Sequence, residues 1–99
     1  MERNLHFARH GAEFGARDEM HYEQMADSFM FGQITVGVTQ CVRPNNTDRL
    51  RFNDANKHFG VACTGPIFLR TYFLVGAAKI AKHHGGPGFF AYECARTTL

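Results

Sequence analysis

The 99-residue chain contains no run of eighteen apolar residues, so it offers no membrane-spanning helix. It has no surplus of one charge either: 11 Lys and Arg face 9 Asp and Glu, a net charge of +2 too small to argue for nucleic acid by itself. Its three cysteines, Cys41, Cys63 and Cys94, are far apart and include no CxxC pair. That spacing predicts reduced thiols, and neither a disulfide frame nor a zinc ribbon. Internal repeats and low-complexity tracts are absent, and the length admits a single domain over residues 1–99. The opening Met1-Glu2-Arg3-Asn4-Leu5-His6 is too polar for a signal peptide, so any export address is expected on a larger parent polypeptide or a carrier.

What is present suffices for a core, because 44% of the residues are apolar. Eight of the eleven basic residues are arginines, whose guanidinium groups match phosphate oxygens bidentately. Residues 5–10 read as a short helix stopped by Gly11. Asp18 is the N-cap of a clearer helix, with Tyr22, Met25, Ala26, Phe29 and Met30 on one stripe and Gly32 at its C′ position. The period then changes to two, and Ile34, Val36 and Val38 predict a strand that continues to Val42. Strands follow over Arg49–Phe52, His58–Cys63 and Ile67–Leu74, with turns at Asn53–Lys57 and Thr64-Gly65-Pro66. Val75–Lys82 reads as a helical turn broken by Gly85-Gly86-Pro87-Gly88. Phe89–Arg96 reads as a last helix or an edge strand. The expected architecture is α+β, with N-terminal helices packed on an antiparallel β-meander of three to four strands.

Two stretches carry chemistry. His6-Phe7-Ala8-Arg9-His10-Gly11 places two imidazoles a helical turn apart, and Ile67-Phe68-Leu69-Arg70-Thr71-Tyr72-Phe73 places a guanidinium and a hydroxyl on an apolar strand. Together they are the equipment for cleaving a phosphodiester without a metal. Strict alternation puts Leu69, Thr71 and Phe73 on one face and Phe68, Arg70 and Tyr72 on the other, so Arg70 and Thr71 share a cleft only if the strand carries a bulge. The rival reading is a His-ligated metal-dependent hydrolase built on His6 and His10 with His83 or His84. Against it, the segment between the first pair lacks the glutamate of a zinc hydrolase and carries Arg9.

The order of His6-Phe7-x-x-His10-Gly11-x-Glu13-Phe14-Gly15, Arg51-Phe52-Asn53, Phe59-Gly60-Val61, Arg70-Thr71-Tyr72-Phe73 and a late His-Gly segment leading to Phe90 and Tyr92 resembles the C-terminal ribonuclease toxin domains of bacterial polymorphic toxins and contact-dependent growth-inhibition effectors. Their fold group takes in barnase, EndoU, the tRNase colicins and RelE. The chain departs from that pattern at Thr64-Gly65-Pro66, where relatives carry a charged Asp-Gly hairpin, and at Leu74-Val75, where they carry Lys-Pro.

The resemblance implies an endoribonuclease, acting on RNA and often tRNA, that needs no cofactor and is neutralised by a cognate immunity protein. It implies a monomer without a membrane anchor, secreted or contact-delivered, that acts in the cytoplasm of a target cell. In such chemistry the 2′-hydroxyl attacks phosphorus, and histidine suits both proton transfers because its ordinary pKa of about 6.5 lies near working pH. His10 is the principal candidate. His6 is a second proton carrier or an orienting neighbour, while Thr71, Arg70 and Arg51 are candidates for contacting the phosphate. His83 and His84 are expected to border the substrate groove, and Tyr92 to stack a base. A non-catalytic RNA-binding module is the other alternative.

Overall fold

The computed structural model describes residues 10–44, 47–65 and 68–96. The predicted first helix, apart from His10, therefore lies outside the described residues, as does His6. After His10 the chain makes a 3-10 turn, Gly11–Phe14. Helix α1 then runs over Glu19–Phe31, where the Asp18 carboxylate accepts from His21 N at 2.8 Å and His21 Nδ1 in turn accepts from Arg17 N at 3.0 Å. These two side chains satisfy amide donors that no helical carbonyl can reach. Four strands follow, β1 (Val38–Val42), β2 (Asp48–Asn53), β3 (His58–Cys63) and β4 (Phe68–Leu74), and then helices α2 (Ala77–Lys82) and α3 (Gly86–Ala95). The strands form one antiparallel meander in the order β1-β2-β3-β4. The fold is thus α+β, as the periodicity predicts. No helix among the described residues is long and apolar enough to cross a membrane.

Each face of the sheet has its own core. Tyr22, Ala26 and Met30, one stripe of α1, bury against Ala62, Leu69 and Tyr72, with Phe14 and Phe29 packed alongside. On the other face Leu50, Phe52, Phe59 and Val61 meet Val75 and Phe89, with Ile80, Phe90 and Cys94 closing over them. Burial of such stripes supplies most of the driving force for helix docking.

Several local expectations are corrected. Strand β1 begins at Val38 and not at Ile34, because its partner β2 ends at Asn53, opposite Val38. Without a neighbour to pair with, Ile34 and Val36 stay exposed, and Val38 N turns back to Thr35 O. The glycine run does not simply break structure: Pro87 lies in the first turn of α3, where a missing N–H costs nothing. Phe89–Arg96 belongs mostly to that helix and forms no edge strand. Gly88 permits the joint between the last two helices, since a Cβ there would lie 2.0 Å from the His83 carbonyl oxygen.

The cysteines depart furthest from expectation. Cys41 on β1 and Cys94 on α3 form a disulfide, and Cys63 is a buried free thiol. The two half-cystines stand 53 residues apart in sequence, a pairing that spacing alone does not reveal. A loop of that size restricts the unfolded chain by about 4 kcal/mol in the chain-entropy account. Urea unfolding with and without a dithiol reductant is expected to show a loss of that order. A Cys94→Ser variant that is as stable as the oxidised domain would contradict it.

Beneath α1, His58 is ringed by Phe14, Phe29 and Tyr72, with ring centroids 4.8, 5.9 and 6.0 Å away. Burial there lowers its pKa from the usual 6.5. Burial also raises the pKa of Tyr72 to about 12. For His58 the unfolded chain takes up the proton first, so its contribution to stability is complete above pH 6.5 and is lost as pH falls through the lower folded value. Unfolding free energy measured from pH 7.5 down to 5 should therefore decline, with a shallower decline in His58→Gln.

Candidate functional site

Strand β4 holds the central feature. Val61 faces Thr71 but its neighbour Ala62 faces Leu69, so Arg70 is an extra residue with no partner of its own. This β-bulge turns Arg70 to the same side as Thr71 and Phe73, while Leu69 and Tyr72 both point at α1. The three side chains line a hollow of about 440 Å³ between the sheet and α2–α3. Phe59 and Val61 contribute apolar walls, and Arg43, Lys79, Glu93 and Arg96 complete the lining.

A buried ionic network underlies the hollow. Arg43 is 3% exposed and Asp48 is fully buried. Arg43 donates from Nη1 to Asp48 Oδ2 at 3.3 Å, from Nη2 to Glu93 Oε1 at 2.9 Å and from Nε to the Glu93 main-chain oxygen at 2.9 Å. Asp48 Oδ1 also accepts from Arg70 Nε at 2.8 Å. Glu93 accepts from Arg96 Nη1 at 3.1 and 3.2 Å. Three guanidinium groups therefore meet two carboxylates, leaving one positive charge over, to which Lys79 adds another. Such pre-paired guanidinium groups are fixed in direction before any anion arrives.

His10 lies at the rim and does not itself line the hollow. Its ring stacks on Phe73 with centroids 5.5 Å apart, and Nδ1 lies 3.2 Å from Glu13 Oε1. The other Glu13 oxygen accepts from Leu74 N at 2.9 Å, so the carboxylate is tied to the edge of β4 while it orients the imidazole. This pairing engages Nδ1 and does not involve Nε2. Glu13 belongs to the opening motif, and its position three residues after His10 is the signal of this pairing.

The remaining candidates divide. His83 and Tyr92 stack at 4.5 Å in a second hollow next to the first. His84 is apart from them, bordering a third hollow with Lys57, Val75 and Ile80. Its φ of 63° places it in the left-handed position that ends α2, with His84 N donating to Ala81 O and Gly85 N to Ile80 O. Its role there is to close a helix. Among the described residues no group of three or more His, Cys, Asp or Glu is arranged to hold a metal ion.

Arg51 is not in the hollow. It projects from the opposite face of the sheet, 6% exposed, and donates from Nη1 to Phe29 O at 3.1 Å and Gly32 O at 2.7 Å, and from Nε to Gln40 Oε1 at 2.7 Å. Burial, then the charge of Arg49, lowers its pKa. The guanidinium thus satisfies main-chain carbonyls at the end of α1, the work expected of a left-handed Gly32. Gly32 instead has φ −76°, and what it provides is room, because a Cβ would lie 2.4 Å from Ser28 O. Replacing Arg51 by Met is expected to lower unfolding free energy by about 3 kcal/mol. Chemical denaturation checks it, and an unchanged midpoint would refute the capping role.

No protein-family model, curated protein or solved structure matches the chain.

Proposed function

We propose that this domain is a metal-independent endoribonuclease toxin that cuts RNA, tRNA being the favoured substrate, and that a cognate immunity protein neutralises it. The observation that carries this reading is the bulge that turns Arg70 and Thr71 into one cationic hollow, beside an imidazole oriented by Glu13. Alternate residues of a strand stand about 7 Å apart, so a phosphate resting near Thr71 lies next to Phe73 and the His10 ring stacked on it.

In this mechanism His10 Nε2 removes the 2′-hydroxyl proton or protonates the departing 5′ oxygen. His6, four residues earlier in the sequence, is the candidate for the other proton transfer, its alternative role being to orient His10. The attacking 2′ oxygen forms a bond to phosphorus as the bond to the 5′ oxygen breaks, leaving a 2′,3′-cyclic phosphate and a 5′-hydroxyl. Arg70 balances the charge that develops on the non-bridging oxygens, and the Thr71 hydroxyl donates to one of them. Asp48 holds Arg70 from behind, so the guanidinium needs little reorganisation as charge builds. The cationic lining also suits an acidic immunity partner that covers the hollow. Delivery by secretion or cell contact into a target cytoplasm follows from the sequence resemblance. A reducing cytosol would release the Cys41–Cys94 bond carried in transit.

The purified domain, incubated with tRNA and excess EDTA, is expected to produce cyclic-phosphate ends. His10→Ala should lower the rate ~10²–10⁴-fold with an unchanged circular dichroism spectrum. Arg70→Gln and Thr71→Val should lower kcat more than they raise KM. Full cutting by His10→Ala would remove the imidazole from the mechanism. Tight RNA binding without any cutting by the native domain would favour the non-catalytic module, which the same cationic and aromatic lining would also serve.

A further inference from the structure

The second hollow, about 460 Å³, adjoins the first and shares Lys79, Glu93 and Arg96 with it. Lys82, His83 and Tyr92 line only the second. Of its three cations Arg96 is paired with Glu93, and the two lysines are not paired with a carboxylate among the described residues. Glu93 is already matched by Arg43 and Arg96. Arg96 is held in place from two directions, by both oxygens of Glu93 and by the Tyr92 ring, whose centroid is 5.9 Å from the guanidinium carbon. Tyr92 is steadied in turn by its stack on His83. The result is an oriented guanidinium shared by the two hollows, together with Lys79, which lines both, and Lys82, which lines the second.

We propose that this second hollow is a subsite for the backbone phosphate neighbouring the one that is cleaved. The proposal rests on the endoribonuclease reading and specifies its substrate as a single-stranded segment carrying at least two consecutive phosphates. The shared Lys79 and Arg96 provide the unbroken positive track that a polyanionic strand needs to pass from one hollow to the other. Arg96 takes the phosphate with the donors that Glu93 leaves over, and Lys82 supplies a mobile counter-charge from the lining of the second hollow. The Tyr92–His83 stack forms the wall against which the attached nucleoside rests.

Two measurements on the full domain separate this subsite from the catalytic reading. The first compares kcat/KM on a dinucleoside monophosphate with that on the trinucleoside diphosphate extended by one nucleotide, both extensions being tried. The native domain should favour one of the longer substrates by about tenfold or more, and Lys82→Gln and Arg96→Gln should shrink that ratio. The second measures binding of the 2′-O-methyl analogues, which lack the attacking hydroxyl, by fluorescence anisotropy against salt. The added phosphate should tighten binding and steepen the log–log salt dependence by about 0.7, and Lys82→Gln should reverse much of both. Equal kcat/KM on all lengths, or an unchanged ratio in both variants, overturns the subsite and leaves the nuclease standing. Length-dependent binding that Lys82→Gln and Arg96→Gln weaken, without cleavage of any substrate, supports the subsite while overturning the nuclease.

Discussion

A guanidinium cannot shed its charge to enter a protein interior, and Arg43 is buried to within 3% of complete exclusion. Desolvating an ion costs several kcal/mol even after relaxation, so the surroundings must answer Arg43 donor by donor. Asp48 answers from β2, while Glu93 answers from α3 with both its side chain and its main-chain oxygen. The helix is therefore positioned against the sheet by a charge that has nowhere else to go. Next along the chain, Cys94 bonds to Cys41, two residues before Arg43, so a covalent and an ionic tie hold the same two places together. Because each carboxylate has acceptor capacity left over, it also aims a second guanidinium: Asp48 holds Arg70 and Glu93 holds Arg96. The groove's electrostatics are thus a by-product of how its floor is neutralised.

The two faces of the sheet are consequently unlike. The α1 face is largely apolar and aromatic, and two of its polar side chains are spent internally: Tyr22 donates its hydroxyl proton to the Tyr72 main-chain oxygen, and Arg51 is committed to the end of the helix. The opposite face is covered by α2 and α3 only in part, and the uncovered region is where the β4 bulge turns Arg70 and Thr71 together. One inserted residue decides which side chains line the hollow and which become core. Without it Leu69 would fall on the groove side and Arg70 would face the apolar packing of α1, a costly burial for an unpaired charge.

How far the sequence could be read follows the range of each interaction. The α1 stripe, the hairpin of β2 and β3 and the strand to Leu74 declare themselves, because hydrophobic period and turn residues act within a few positions. The start of β1 does not: Ile34 and Val36 have strand propensity, yet no partner extends beside them. His84 illustrates the same limit from the other side. It stands next to His83 and shares its chemistry, but one left-handed residue sends the two imidazoles to different hollows. For Arg70 and Thr71, alternation supplies the condition for their meeting, a bulge, without supplying the bulge.

By itself, then, the order of residues determined the α+β class, the helix capped by Asp18 and three of the four strands nearly to the residue, and it singled out the imidazoles, guanidinium groups and hydroxyl proposed to form the site. Tertiary structure alone decided that Cys41 finds Cys94, that Arg51 caps a helix while Arg43 and Arg96 shape a groove, and that Arg70 and Thr71 share a face. The division has a physical cause. Propensity and period arise from contacts a turn or two away along the chain, whereas charge pairing, disulfide closure and strand register are settled by which distant segments arrive at the same point in space.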